Sequence, residues 1–234
     1  SSIPGMNAWQ PWIIPHKLIS RSCFQLSRFS HGAPVGSVGA SAATSFYPTK
    51  NLGCLGDGGA LLTSDDDTDA RARSLRDYGQ SGKFEHEHLG LNSRLDELQA
   101  AVLRSALLPA LAADTARRAE IAAVYRETLD HTRVKLVPVP EGSESVWHLF
   151  PLRIDGDRQA FQDHLRAQGI ASGIHYPHVI PDQRALAGMP GAACLAPVDR
   201  ARRIAASVVT LPMHPYLSDE DVQRVARAVN DWPA

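Results

Sequence analysis

Residues 45–65 read SFYPTKNLGCLGDGGALLTSD. One lysine, Lys50, stands between a short apolar run and a glycine-rich turn, and Ser45 precedes it by five residues. The segment ATSFY has the makings of a short buried strand, and ALLTS of a second one. GDGG between them makes a tight turn, because glycine reaches positive φ without strain. A lysine amine is a nucleophile only when deprotonated, and burial or a neighbouring cation makes that form accessible and reactive toward aldehydes. The aldehyde that enzymes most often hold in this way is pyridoxal phosphate, which needs a lysine, a phosphate cup and an orienting group. A hydroxyl at Ser45, across a short turn, is placed to reach that phosphate. By spacing alone the signal is weak, since a lone lysine in a turn is most often a solvated surface group.

Outward from this stretch, DDDTDARARSLRDYG begins acidic and ends basic, which suits the dipole of a helix stopping near Gly79. Residues 80–91 read as a polar loop. In NSRLDELQAAVLRSALLPAL, Ser93 with Asp96 has capping-box spacing, and Leu95, Leu98, Val102, Leu103 and Leu107 form a helical stripe that Pro109 should kink or end. A further helix is predicted over 115–131. After VPVPEGSES, strand and helix alternate. WHLFPLRI reads as a strand, RQAFQDHLRAQG as a helix closed by Gly169, and IASGIHYP as a strand. DRARRIAASV then reads as a helix, VTLP as a strand, and SDEDVQRVARAVNDW as a helix capped by Ser218. That alternation is the pattern of an α/β domain. Residues 1–30 carry two tryptophans and no steady periodicity, and read as an irregular arm.

These segments, taken together, resemble the DegT/StrS-type sugar aminotransferases, a fold-type-I pyridoxal-phosphate family. The resemblance starts at the Schiff-base stretch SFYPTKNLGCLGDGGALLTSD. It continues through RSLRDYGQSGKFEHEHLGLNSRLDELQAAVLRSALL, RRAEIAAVYRETL, SVWHLFPLRI, AQGIASGIHYP and VVTLPMHPYLSDEDV, in the family's order, from about His31 onward. It implies a fold of the α/β class, the C-terminal part of a fold-type-I aminotransferase. Residues 31–113 would be a remnant of the cofactor-binding large domain with an interface helix, and residues 114–234 a small C-terminal α/β domain. It implies that Lys50 is the catalytic lysine and binds pyridoxal 5'-phosphate, and that Ser45 contacts the cofactor phosphate. Asn92, in GLNSRLDELQAA, would reach the phosphate of a neighbouring subunit, and His175 and Tyr176 would line the sugar pocket.

The implied reaction moves an amino group from L-glutamate to a nucleotide-linked keto-sugar. The wording NSRLDELQAAVL with RDYG resembles members that act on C3 of a dTDP-6-deoxy-hexulose. The family works as a homodimer. Its usual segment ahead of the lysine supplies phosphate-binding amides and an aspartate for the pyridine nitrogen. Here HGAPVGSVGASAATSF resembles only the end of that segment, and no acidic residue precedes Asp57. The chain is therefore expected to be an N-terminally truncated member. The alternative to a working transaminase is a catalytically impaired homologue that acts as a remnant or binding partner.

Composition sets the remaining bounds. The 234 residues carry 24 basic and 25 acidic side chains, a formal charge of -1, so no global field favours nucleic acid or an anionic membrane. No apolar run reaches membrane-spanning length. Three widely spaced cysteines fit a reduced, cytoplasmic protein better than a disulfide framework. His86 and His88 in FEHEH lack a third ligand in view, so no metal is expected. GCLGDGG lacks the GK[ST] of a phosphate-binding loop and reads as a hairpin turn.

Overall fold

The structure, a computed structural model, describes residues 19–20, 29–30, 33–37, 39–189 and 196–233. Most of the expected 1–30 arm therefore lies outside the described residues. The chain is built from short strands β1 (Ile19–Ser20), β2 (Phe29–Ser30), β3 (Ala33–Pro34), β4 (Ser41–Ser45) and β5 (Gly59–Thr63), followed by helix α1 (Asp66–Arg76). Next come β6 (Gln80–Gly82), β7 (Glu85–His86), α2 (Glu97–Val102) and α3 (Leu108–Thr128). The remainder is β8 (Val134–Leu136), β9 (Ser143–Glu144), β10 (Phe150–Ile154), α4 (Arg158–Ala167), α5 (Asp199–Ser207), β11 (Val208–Leu211) and α6 (Asp219–Asn230). The architecture is of the mixed α/β class. Among the described residues no helix is long and apolar enough to cross a membrane.

Two sheets carry the main elements. In the first, β4 lies between β1, which runs parallel to it, and β5, which pairs antiparallel from Ser41 opposite Thr63 to Ser45 opposite Gly59. The second has the order β11-β10-β8, antiparallel throughout. Its alternating side chains pack under helices α3, α4 and α6. Ile121, Tyr125, Phe150, Leu152, Phe161, Leu165, Val209, Val222 and Val229 form the centre of this core. α6 follows the helical template well. Val222, Val225, Ala226 and Val229 face inward, and Ser218 Oγ accepts from the Asp221 N–H to cap it. Tyr125 is fully buried, its ring tilted against Phe150 at 5.0 Å and its hydroxyl donating to Pro212 O at 3.1 Å. That bond lets a polar tip enter an apolar core without an unsatisfied group.

Four local expectations are corrected. Residues 80–91 contain the β6–β7 hairpin rather than only a loop. The helix expected to start at Ser93 starts at Glu97 with Asp96 as its cap residue, and no side-chain capping bond forms. Pro109 does not end the helical run. A π-helical turn over Leu103–Leu107 precedes α3, and Leu108 N donates to Leu103 O, five residues back. That wider turn comes just where a proline ring would otherwise crowd the i−4 carbonyl, so Pro109 sits in the first turn of α3, where its missing N–H is harmless. Finally, IASGIHYP is not a strand. Its backbone pairs with β11 at the isolated bridge Gly173–Thr210 alone, with N–H···O distances of 3.0 and 2.8 Å. The segment has the β-branched residues of a strand but bends away at once to bring His175 and Tyr176 to a cavity.

Removing the Phe161 ring from this core leaves a cavity. Phe161→Ala is expected to lose about 3–5 kcal/mol of unfolding free energy, and Tyr125→Phe about 1–2 kcal/mol from an orphaned carbonyl. Urea unfolding followed by tryptophan fluorescence checks both.

Candidate functional site

The glycine-rich turn after β4 is closed by its own backbone. Phe46 N donates to Gly58 O at 2.7 Å, Lys50 N to Tyr47 O at 2.8 Å, and Cys54 N to Phe46 O at 2.8 Å. Buried Cys54 plugs the turn, its Sγ 3.0 Å from Phe46 O and 2.9 Å from Gly56 O. The chain folds so tightly that a Cβ at position 53 would lie 2.5 Å from Pro48 O. Glycine is needed there for close approach. Ser45 Oγ accepts from Tyr47 N at 3.2 Å, which leaves its own proton to donate elsewhere.

This turn forms one wall of a cavity of about 910 Å³, at the large end of the range for small-molecule sites. Ser45, Tyr47 and Lys50 come from the turn, Asp114 and Arg118 from α3, His148 from the approach to β10, and His175 and Tyr176 from the bend after Gly173. Met213, His214 and Tyr216 follow β11 and complete it. Four of the five residues singled out from sequence, Ser45, Lys50, His175 and Tyr176, thus share one cavity. Asn92 does not line it. Asn92 instead sits in a polar cluster, Nδ2 donating to the Tyr78 hydroxyl at 2.9 Å and Oδ1 accepting from Arg94 Nε at 3.1 Å, while Arg94 also pairs with Asp77 at 2.9 Å.

The residues that fix Lys50 in place were not conspicuous in the sequence. Asn51 Nδ2 donates to Val146 O at 2.9 Å, and its Oδ1 lies 3.3 Å from His148 Nδ1. With the amide nitrogen committed to a carbonyl, Oδ1 is the acceptor, so Nδ1 of His148 carries the proton and Nε2 is the bare nitrogen. His148 is buried, and it also faces the cavity. Burial holds its pKa down to about 4, reinforced by the positive charges of Lys50 and Arg118 and then by His175. His175 is pushed the same way, first by burial and then by Lys50, while its Nδ1 shares a 3.0 Å hydrogen bond with Thr210 Oγ1. Arg118 is pulled below the usual guanidinium range by burial, against the opposing pull of Asp114 and Tyr216. Two histidines pushed toward the neutral form, a lysine and a guanidinium therefore line one cavity. The arrangement can hold anions, accept a proton on a histidine, and present an amine to an electrophile.

Comparison with known proteins agrees with this chemistry. A model of the DegT/DnrJ/EryC1/StrS aminotransferase family matches residues 18–230. The dTDP-3-amino-3,4,6-trideoxy-alpha-D-glucose transaminase of Streptomyces venezuelae is 42% identical over 205 residues, covering 86% of this chain and 52% of the relative. The dTDP-3-amino-3,6-dideoxy-alpha-D-galactopyranose transaminase of Aneurinibacillus thermoaerophilus is 45% identical over 202 residues, covering 86% and 54%. Among solved structures, S. venezuelae DesV in complex with a ketimine intermediate superimposes with a TM-score of 0.80 at 41% identity, over 87% of this chain and 54% of that one. The chain thus spans about half the length of the curated relatives it matches.

The protonation state of His148 makes the fold sensitive to mild acid. Its folded pKa of about 4 lies below the ordinary value of 6.5, so between the two the unfolded chain binds a proton that the fold excludes. The stabilisation from neutral His148 is therefore complete above pH 6.5 and is lost progressively as pH falls toward 4. The urea midpoint is expected to drop more steeply across that window for the natural chain than for His148→Gln, which has no group to titrate.

Proposed function

The chain belongs to the DegT/DnrJ/EryC1/StrS aminotransferase family, and on that premise we propose that it carries the lysine side of a site that transfers an amino group from L-glutamate to a nucleotide-linked keto-sugar. The observation that carries the reading is the convergence of Ser45, Lys50, His175 and Tyr176, from separate segments, on one cavity. The aminotransferases of this family depend on pyridoxal 5'-phosphate. The described residues fit the aldehyde and phosphate ends of that cofactor. Lys50 offers an amine at the cavity, and Ser45 offers a hydroxyl proton not spent on its own turn. The lining carboxylate is Asp114, which stands beside Arg118.

When bound, the cofactor supplies an electron sink for the bonds at the amino acid's Cα. The protein's part is binding and proton movement. Lys50 would hold the aldehyde end of the cofactor, and its amine, displaced by the amine of the donor, would take the proton from the donor's Cα and give it up again, acting as base and then as acid. Ser45 would donate to the phosphate. Asn51, clamped to Val146 and His148, fixes the backbone from which Lys50 extends. His148 stays neutral beside Lys50, so it adds no repulsion to a protonated amine. His175 and Tyr176 form the wall we assign to the sugar.

The relatives named for amino groups at C3 of dTDP-sugars support C3 of a dTDP-6-deoxy-hexulose as the acceptor position. We read the chain as a cytoplasmic homodimer in which Asn92 serves the phosphate of the second copy. In support, Asn92 stands outside its own cavity, and Leu89, Leu91 and Leu98 nearby are large, exposed apolar side chains. In the same reading residues 31–113 belong to the cofactor-binding domain and 114–234 to the small domain.

Incubation with pyridoxal phosphate, borohydride reduction and peptide mapping should give a single adduct at Lys50, absent in Lys50→Ala. Ser45→Ala should weaken cofactor binding about tenfold, the loss of one hydrogen bond to a charged group. No adduct at position 50, even with a complete homologue added, would overturn the catalytic reading in favour of a binding partner.

A further inference from the structure

Trp147 stands just ahead of β10 with a φ of 46°, in the left-handed region. Bulky side chains are rare there, because Cβ crowds the following carbonyl oxygen, and they persist only where their surroundings over-determine them. Here the surroundings do so. Trp147 N donates to Ser145 Oγ at 3.1 Å. The indole packs against the core, its ring 5.5 Å from that of Phe150, and the Arg126 guanidinium lies 6.0 Å from its centroid.

The turn at Trp147 governs the residues on either side of it. Asn51 meets Val146 O with Nδ2 and the His148 ring with Oδ1, so one amide touches a carbonyl and a side chain two residues apart. In an extended chain carbonyls lie in the plane of the sheet and side chains stand perpendicular to it, and those two groups diverge. A left-handed residue between them swings both toward one point. Trp147 is not among the residues that line the cavity, and it reaches the site through Asn51. We propose that Trp147 is a positioning residue for Lys50: its ring holds the backbone in a left-handed turn, the turn presents Val146 O and His148 to Asn51, and Asn51 fixes the lysine turn. The proposal rests on the reading of Lys50 as the cofactor-binding lysine and names a residue that makes that site precise.

Glycine and alanine at position 147 separate backbone from ring. Both remove the indole, and only glycine adopts the turn without strain. In an ordinary packing role glycine is no better than alanine, so the order of the two is diagnostic. Pyridoxal phosphate is titrated into the full chain and the Lys50 adduct is trapped with borohydride. Trp147→Ala is expected to bind the cofactor about tenfold less tightly than Trp147→Gly, from the share of chains that leave the turn. A second readout needs no cofactor. The His148 Cε1 proton, assigned with His148→Gln, is followed by NMR against pH. Beside Lys50, Arg118 and His175, His148 should titrate at about 4 in the natural chain. In Trp147→Ala it should move up toward its ordinary value, and further than in Trp147→Gly. Should the alanine chain not fold, Trp147→Asn against Trp147→Leu repeats the contrast, because asparagine tolerates the left-handed region and leucine does not. Equal cofactor affinity and equal His148 titration within a pair would show the indole to be core packing only and overturn the proposal. So would tighter binding by the alanine or leucine chain. Failure of the natural chain to form the Lys50 adduct strikes the transaminase reading, and the His148 titrations then decide whether Trp147 sets the clasp.

Discussion

The two hydrogen bonds of Asn51 are the constraint on which the site depends. Asn51 follows the lysine directly and reaches Val146, 95 positions along the chain. A lysine side chain has long, freely rotating methylenes, so its reactive end is only as well placed as the backbone it leaves. Here that backbone is pinned inside the turn by Cys54 and across the fold by Asn51. The clasp also orients His148, because the amide can accept only at Oδ1 once Nδ2 is committed. One side chain therefore sets both the position of the amine and the tautomer of the imidazole beside it.

The cavity inherits its charge from this packing. Segments that are ordinary alone bring Lys50, Arg118, His148 and His175 together. Burial first, and the charges of neighbouring side chains second, push the pKa values of His148 and His175 down, toward the neutral form. The outcome is a site rich in hydrogen-bond donors and electrostatically prepared for phosphate and carboxylate groups. A substrate class with anionic handles suits such a wall better than an apolar ligand would.

The β10–β11 pair is the rigid base for this arrangement. Its inward residues are buried with the aromatic rings of Tyr125, Phe150 and Phe161, and the chain just beyond its ends carries the carbonyls that grip Arg118 and Tyr125. Helix α3 crosses from the lysine side to this core in one piece, which its π turn at 103–107 allows despite Pro109. Positional precision at the site thus comes from a helix and a sheet, and the bends that carry His175 and Tyr216 are tied to them.

The sequence on its own revealed the α/β alternation, the turn around Lys50, most helices of the C-terminal half, and a set of motifs whose order pointed to one family. Those features are local. Periodicity and caps such as Ser218 are written within a few residues of where they act. Asn51, Arg118 and Thr210 carried no such mark, because each acts through partners some 30 to 100 positions away. The start of α2 at Glu97 and the bend after Gly173 were likewise decided by neighbours in space, which outweighed weak local preferences for a Ser93 cap and a β-strand. Residue chemistry could nominate the lysine; only folding could show which cations would surround it, since charge and burial at a point are properties of everything packed around that point.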